Sequence, residues 1–294
     1  MRILAIVVTY NRKELLKECI ESLLNQKNKA LDILVVDNNS NDGTKEMIEK
    51  SFNEVIYKNT GANLGGAGGF NFGMKESFNL SQKYDYLWIM DDDTIPNKDV
   101  LKQFLKVIKK NPDFGFISPK TVWTDGTLCK MNIQSDLEGN FINEDTNNLT
   151  RISRCTFVSC FLPTKVVLEV GLPIKEFFIW ADDTEYTLRI SRKYPGYYIN
   201  TCEVLHKMNN NNPTKIETDV EARIDRYFYS FRNRFYIAKK QGLSKVIRFH
   251  LSICKTILNI LIKSKNKKLK RISVVLKGYF KGIVFNPHIE KISE

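Results

Sequence analysis

Apolar residues in the first part of the chain fall into short unbroken runs that alternate with helical repeats. Ile3-Leu4-Ala5-Ile6-Val7-Val8 has no polar interruption, the pattern of a strand covered on both faces. Leu15, Leu16, Cys19, Ile20, Leu23 and Leu24 then recur at helical spacing, and Asn11 is expected to cap that helix. Asp32-Ile33-Leu34-Val35-Val36-Asp37 predicts a second strand, and the polar turn Asn38 to Thr44 opens a helix running to about Phe52. Val55-Ile56-Tyr57 and Tyr86-Leu87-Trp88-Ile89-Met90 predict two more strands. This order predicts an α/β protein with a mostly parallel, doubly wound sheet. Ligands of such sheets sit beyond the carboxyl ends of the strands, which directs attention to Thr9 to Arg12, Asp37 to Asn39 and Asp91 to Asp93.

Three stretches carry candidate chemistry. Asp91-Asp92-Asp93 follows a strand, and adjacent carboxylates repel unless a cation compensates. A hard divalent ion shared with phosphates would do so; a solvated acidic turn, or Asp93 capping a helix that begins near Pro96 to Asp99, is the alternative. Asn63-Leu64-Gly65-Gly66-Ala67-Gly68-Gly69-Phe70 reads either as a flexible loop or as backbone free to approach phosphate or sugar oxygens. Phe177-Phe178-Ile179-Trp180-Ala181 precedes Asp182, Asp183 and Glu185 in the first turn of a predicted helix. Acids at a helix start complement its dipole, while a carboxylate against aromatic surface is partly desolvated and suits a general base. His206, one of three histidines, follows another strand-like run.

The chain has 294 residues, 43% of them hydrophobic, enough for a sizeable core in one large or two modest domains. Such a balance excludes a disordered chain, a collagen and a disulfide miniprotein. Six cysteines without a Cys-x-x-Cys pair suggest reduced thiols in a cytoplasmic protein. The apolar run after Arg2 lacks a small-residue cleavage site and reads as a strand, not a secretory signal. No stretch is long and apolar enough to predict a bilayer span.

The net charge of +12 is unevenly spread: residues 1–225 hold 28 Lys+Arg and 31 Asp+Glu, whereas residues 226–289 hold 16 Lys+Arg and no acid. In this last segment Lys245, Arg248, Lys255 and Lys263 share one helical stripe, against Leu251, Ile253, Ile257, Leu258, Ile260 and Leu261. A second stretch sets Lys270, Lys277 and Lys281 against Ile272, Leu276, Tyr279, Phe280 and Ile283. Basic amphipathic helices of this kind predict a peripheral contact with an anionic membrane surface; helices packed on the body with a solvated basic face are the alternative. Nucleic acid is not the expected partner, because no aromatic or arginine-rich recognition pattern accompanies the lysines.

In order along the chain, Val7-Val8-Thr9-Tyr10-Asn11-Arg12, Val35 to Ser40, Asn63-Leu64-Gly65-Gly66, Asp91-Asp92-Asp93, Trp180 with Asp182-Asp183 and Glu185, and His206 together resemble the inverting nucleotide-sugar glycosyltransferases of family 2, over roughly residues 1–210. The resemblance implies a GT-A fold, Rossmann-like; with the charge pattern this gives a transferase domain over residues 1–225 and a basic helical membrane-associating region over residues 226–294. It implies that Thr9, Asn11, Arg12, Asp37, Asn63, Asp91 and Asp92 line the nucleotide pocket, Asp37 accepting the uracil N–H. Asp93 and His206 would bind Mn²⁺ or Mg²⁺, Asp183 would be the catalytic base, and Trp180, Asp182, Glu185, Gly65 and Gly66 would hold acceptor or donor groups. Asn63 to Phe70 is similar to the galactofuranosyl- and rhamnosyltransferase branch, and Trp180 with Asp182-Asp183 and Glu185 is most similar to the galactofuranosyltransferases, though Ala181 here separates Trp180 from the two Asp. That branch implies a UDP-galactofuranose donor and a lipid-linked glycan acceptor in bacterial cell-surface polysaccharide synthesis, at the inner face of the cell membrane. A rhamnosyltransferase using dTDP-rhamnose is the other transferase reading, and a non-catalytic sugar-nucleotide-binding protein of the membrane surface the non-enzyme one.

Overall fold

The computed structural model describes residues 1–27, 30–143 and 148–292, so the last two residues of the expected membrane segment lie outside it. β1 (Ile3–Thr9) is buried at every position and runs parallel to β2 (Leu31–Asp37) on one side and β4 (Tyr86–Asp91) on the other. β3 (Ile56–Asn59) extends the parallel part beyond β2. β5 (Thr94–Pro96), β6 (Phe116–Val122), β7 (Leu149–Ile152), β8 (Cys160–Pro163) and β9 (Gly196–His206) complete a sheet ordered β3-β2-β1-β4-β8-β6-β9-β5, with β7 paired to β9. β6 and β9 are parallel, while β8, β5 and β7 enter antiparallel.

Successive residues of β1 point to opposite faces, and each face has its own core. Ala5 and Val7 join Leu16, Ile20 and Leu23 of α1 (Lys13–Leu24), Ile48 of α2 (Thr44–Ser51) and Phe104 of α4 (Val100–Lys110). Leu4, Ile6 and Val8 join Phe70 and Met74 of α3 (Gly65–Asn79), Val166 of α5 (Thr164–Val170) and Tyr186 of α6 (Asp182–Ser191). Both faces of the strand are therefore dry, which is why its sequence is an unbroken apolar run.

Three local expectations are corrected. Asn11 does not cap α1: it lies at φ 52°, takes the Asn41 N–H on its Oδ1 and gives its own N–H to Ser40, while α1 begins after Arg12 without a side-chain cap. Asp93 caps no helix, because Thr94 to Pro96 form β5 and α4 starts only at Val100. The glycine-rich stretch is not a loop; from Gly65 it is the N-terminal half of α3. A Cβ on Gly69 would stand 2.5 Å from Val8 Cγ1, and one on Gly73 2.7 Å from both Ile6 and Val36 Cγ2. These glycines bring α3 close against the sheet, a packing demand that outweighs their poor helix propensity.

The chain divides into two compact units that are not consecutive stretches: one holds residues 1–175, 183–211 and the segment from Ile289, the other residues 176–182 and 212–288. This differs from the boundary at 225 that the charge pattern suggested. In the first unit the returning segment is fastened by Glu290, whose carboxylate pairs with Lys75 at 2.6 Å and Lys175 at 3.2 Å. Its backbone carbonyl accepts the Leu172 N–H at 2.8 Å. The second unit contains α7 (Tyr227–Gln241), α8 (Leu243–Lys263) and α9 (Lys268–Val284) around a core of Phe231, Phe235, Phe249, Ile253, Ile260 and Val275. Gly278 and Gly282 let α9 lie on α7, where a Cβ at Gly278 would approach the Phe228 carbonyl oxygen to 2.6 Å. Ile253 and Ile260 are thus core residues, whereas Leu243, Ile247, Leu251, Leu258, Leu261 and Ile262 of α8 are exposed along a continuous helical stripe. Among the described residues no helix is long and apolar enough to cross a membrane.

Candidate active site

β1 and β4 end side by side, and so deliver Thr9 and Asp91 to the same edge of the sheet. The two carboxylates after Asp91 turn the chain into β5, which pairs antiparallel with β9 so that Thr94 lies opposite His206. That pairing closes a gap of more than a hundred residues and sets His206 beside Asp93. The Lys207 N–H, donating to the Asp93 carbonyl at 2.9 Å, fixes the register.

The three acids differ in their partners. Asp92 is buried, accepts the Thr9 hydroxyl at 2.8 Å and meets Arg12 Nη1 at 3.1 Å. The same nitrogen reaches Asp93 Oδ2 at 2.9 Å, so one half-exposed guanidinium bridges two carboxylates. Burial pushes the Asp92 carboxyl up to about 6, with Arg12 opposing. Burial, then repulsion from Asp93, pushes Asp91 up to about 7. For Asp93, burial is outweighed by His206 and Arg12, which hold it below the ordinary carboxylate range.

Ligand atoms of Asp91, Asp93 and His206 all lie within 4.8 Å of one another. His206 Nδ1 stands 2.9 Å from Asn132 Oδ1, an acceptor, which assigns the ring proton to Nδ1 and leaves the Nε2 lone pair facing the carboxylates. Nε2 is 3.2 Å from Asp93 Oδ1, yet that buried oxygen has no hydrogen-bond partner. Acceptors facing one another in this way require a positive charge. A second proton on the ring meets the need: burial opposes it, but the Asp93 and Cys129 contacts and the charges of Asp93 and Asp91 push His206 up to about 10. A divalent cation meets it equally, with two oxygen donors and an imidazole of the type that Mn²⁺ and Mg²⁺ sites use, so the residues present fit the expected metal.

Around this centre, Asp37 is buried and already accepts the Ser40 N–H at 2.8 Å and the Tyr57 hydroxyl at 2.7 Å. A carboxylate offers about four lone-pair sites, so it retains acceptor capacity for a base N–H. Asn63 is exposed and its Oδ1 takes the Gly65 N–H at 2.9 Å, ahead of α3, whose N-cap is Leu64. Gly65 holds φ 69°, and a Cβ on Gly66 would meet nothing, so it is Gly66 that borders open space.

The second acidic cluster opens α6, as expected. Asp182 is buried. Asp183 is half-buried, and its Oδ1 accepts the Thr184 N–H. Burial raises its carboxyl above the ordinary range against the opposing pull of Thr184 and Arg154. Glu185 is the acid already committed within the protein: Arg189 takes both its oxygens at 3.0 and 2.9 Å and uses its remaining N–H groups on the Val170 and Leu172 carbonyls.

Just before α6, Phe178, Trp180 and Ala181 lie at φ 63°, 67° and 67°, left-handed values that cost roughly 1–3 kcal/mol each for non-glycine residues. Asn233 of α7, fully buried, holds this backbone by donating Nδ2 to the carbonyls of Phe177 (3.0 Å), Ile179 (3.2 Å) and Trp180 (2.9 Å). Arg232 orients that amide through Asn233 Oδ1 at 3.0 Å and donates to the Glu176 carbonyl. Sequence reading missed Asn132, Arg232 and Asn233, since polar residues far along the chain carry no signal of what they will touch.

The family model of Glycosyl transferase family 2 matches residues 4–162, more than half of the chain. The chain belongs to glycosyl transferase family 2. Within the family it is 25% identical over 261 residues to the galactofuranosyltransferase GlfT1 of Mycolicibacterium smegmatis, covering 83% of this chain and 85% of that one. It is also 25% identical over 297 residues to the low-salt glycan biosynthesis hexosyltransferase Agl10 of Haloferax volcanii, covering 95% and 90%. Among solved structures, S. aureus TarS 1–349 aligns with a TM-score of 0.58 at 17% identity over 95% of this chain and 72% of that one. The mannosyltransferase PcManGT of Pyrobaculum calidifontis, in complex with GDP-Man and Mn²⁺, aligns with a TM-score of 0.59 at 12% identity over 96% and 87%. The fold is therefore that of the GT-A glycosyltransferases, and the chain is a glycosyltransferase whose Asp91, Asp93 and His206 form a cluster able to hold a metal.

Proposed function

We propose that this family 2 enzyme transfers galactofuranose from UDP-galactofuranose, with inversion, to a hydroxyl of a lipid-linked glycan at the cytoplasmic face of the membrane. The observation that carries the donor reading is the likeness to GlfT1 over 83% of this chain. In the reaction, Asp183 takes the proton of the acceptor hydroxyl as its oxygen attacks the anomeric carbon. The bond from that carbon to the UDP oxygen breaks on the opposite face, and the electron pair leaves with UDP. Arg12 holds Asp92 and Asp93 in place, Asn132 orients His206, and Thr9 and Asp37 border the nucleotide. A divalent ion held by Asp91, Asp93 and His206 would neutralise the charge that grows on the leaving diphosphate.

The test is nucleotide release by the full chain, with Mn²⁺ or Mg²⁺, from UDP-galactofuranose, UDP-galactopyranose and dTDP-rhamnose in turn. UDP-galactofuranose is expected to be turned over fastest. Preference for dTDP-rhamnose would replace the donor, and binding of every nucleotide sugar without turnover in the presence of acceptor would favour the non-catalytic reading.

Membrane contact has its own support. The exposed apolar stripe of α8 belongs to the segment with 16 basic and no acidic residues. Near an anionic surface each Lys or Arg adds about 1 kcal/mol, and the apolar stripe adds burial in the interface. The full chain is expected to sediment with vesicles containing phosphatidylglycerol, and much less with neutral phosphatidylcholine. Leu251→Glu combined with Leu258→Glu should weaken that binding while leaving UDP affinity unchanged. Equal sedimentation with both vesicle types would remove the electrostatic part of this reading.

A further inference from the structure

In the parallel pairing of β2 with β3, Tyr57 lies opposite Val35 and Asn59 opposite Asp37. Across this register three side chains form a run of hydrogen bonds in which every proton has one direction. The Gly61 N–H donates to Asn59 Oδ1 at 2.7 Å, so the Asn59 amide turns its Nδ2 the other way. Nδ2 donates to the Tyr57 hydroxyl oxygen at 3.2 Å, and that hydroxyl gives its single proton to Asp37 Oδ2 at 2.7 Å. Burial pushes the Tyr57 phenol up to about 12, opposed by the Asn59 contact and helped by the Asp37 one, so it remains a donor at neutral pH.

Asp37 is also held from its other side. Its Oδ1 takes the Ser40 N–H at 2.8 Å, and its carbonyl takes the Thr60 N–H at 2.9 Å. The carboxylate is tied at both oxygens, so its plane cannot turn without breaking a bond. A satisfied polar network of this kind rigidifies its members, and here the member it fixes is the acid at the end of β2.

We infer that Tyr57, backed by Asn59, is a positioning residue that decides which pyrimidine the donor nucleotide carries, which rests on the reading of Asp37 as a nucleobase contact. Each oxygen of Asp37 has one donor among the described residues and a lone pair to spare, so the carboxylate shows a ligand only acceptors. Uracil and thymine carry an N–H at ring position 3 and meet it with a donor. Cytosine has a lone pair there, and two acceptors face each other unsatisfied. The arrangement selects UDP and dTDP over CDP. It is blind to the methyl group that distinguishes the first two, so the choice between a UDP-sugar and a dTDP-sugar falls to other contacts.

Calorimetry on the full chain with UDP, dTDP and CDP in turn, Mn²⁺ present, tests this. The parent is expected to bind UDP and dTDP alike and CDP about tenfold or more weakly. Tyr57→Phe keeps the ring packed on the core and removes the hydroxyl; it should weaken UDP and dTDP by about tenfold, leave CDP nearly unchanged and so shrink the discrimination. Asn59→Ala should move the ratio the same way by a smaller factor. In turnover, KM for the donor should rise with the loss of affinity while kcat moves little, because the base contact is the same before and during the reaction. Equal weakening of all three nucleotides by Tyr57→Phe would leave Tyr57 a merely structural role, and an unchanged ratio of UDP to CDP would likewise overturn its part in selection. Asp37→Asn, whose amide can offer cytosine a donor, separates the two claims. A ratio that collapses in Asp37→Asn but stands in Tyr57→Phe leaves Asp37 reading the base without Tyr57. A parental ratio in Asp37→Asn removes the nucleobase reading of Asp37, and the role of Tyr57 with it.

Discussion

Asp183→Asn is expected to lower turnover by about 10²- to 10⁴-fold, the scale on which a positioned general base contributes. The substitution keeps shape and the Thr184 N–H contact but removes the basic oxygen, so UDP affinity should be unchanged. The pH profile supplies a second readout. A base works only when unprotonated, and burial raises the Asp183 carboxyl above the ordinary aspartate value of about 3.9. Activity should therefore fall as pH drops through that raised value, earlier than an ordinary aspartate would allow. In the Asn variant the residual rate should lose this acidic limb. Near-normal turnover by Asp183→Asn would pass the role to its neighbour Asp182.

Removing divalent ions should have an effect of comparable size. Chelator is expected to reduce transfer to background and to weaken UDP binding, and Mn²⁺ to restore both. Asp93→Asn and His206→Gln should each abolish measurable Mn²⁺ binding by calorimetry. Asn132→Ala, which removes the acceptor for His206 Nδ1–H together with the Cys129 and Thr156 contacts that hold the amide, should weaken metal binding by about 10- to 100-fold, the usual scale for a partner behind a ligand. A shared ion predicts that the double variant loses little more than either single one. UDP binding and turnover indifferent to chelator would refute the metal site.

The parts of this enzyme that could be read from the sequence are those whose cause is local. β1, β2 and β4 are apolar on both faces because both faces are covered, and a run such as Ile3 to Val8 reports that directly. The carboxylates after β4 follow from the rule that ligands gather where strands end, and those that open α6 from the dipole of a helix start. What could not be read depends on partners far along the chain. Gly65 to Gly69 have the composition of a loop, and only the proximity of Val8 to Gly69, and of Ile6 and Val36 to Gly73, makes a helix of small residues the better solution. Charge drew the boundary at residue 225, but charge lies on surfaces, whereas units are defined by cores. The core of α7 to α9 and the hold of Asn233 on residues 177–180 join the second unit without regard to sign.

The return of the chain at Ile289 imposes an order in time. All strands of the first unit have been synthesised before α7 begins, but the turn at Gly171 and Leu172 after α5 waits for Glu290, which follows α7, α8 and α9. At roughly 5–20 residues per second, residues 212–288 take on the order of 4–15 s to make, long compared with the folding of most small domains. Throughout that interval the Leu172 N–H, Lys75 and Lys175 have only water as partners. The nascent first unit is thus latched late, and the turn after α5 stays open to proteases and chaperones until the helices of the second unit have been made.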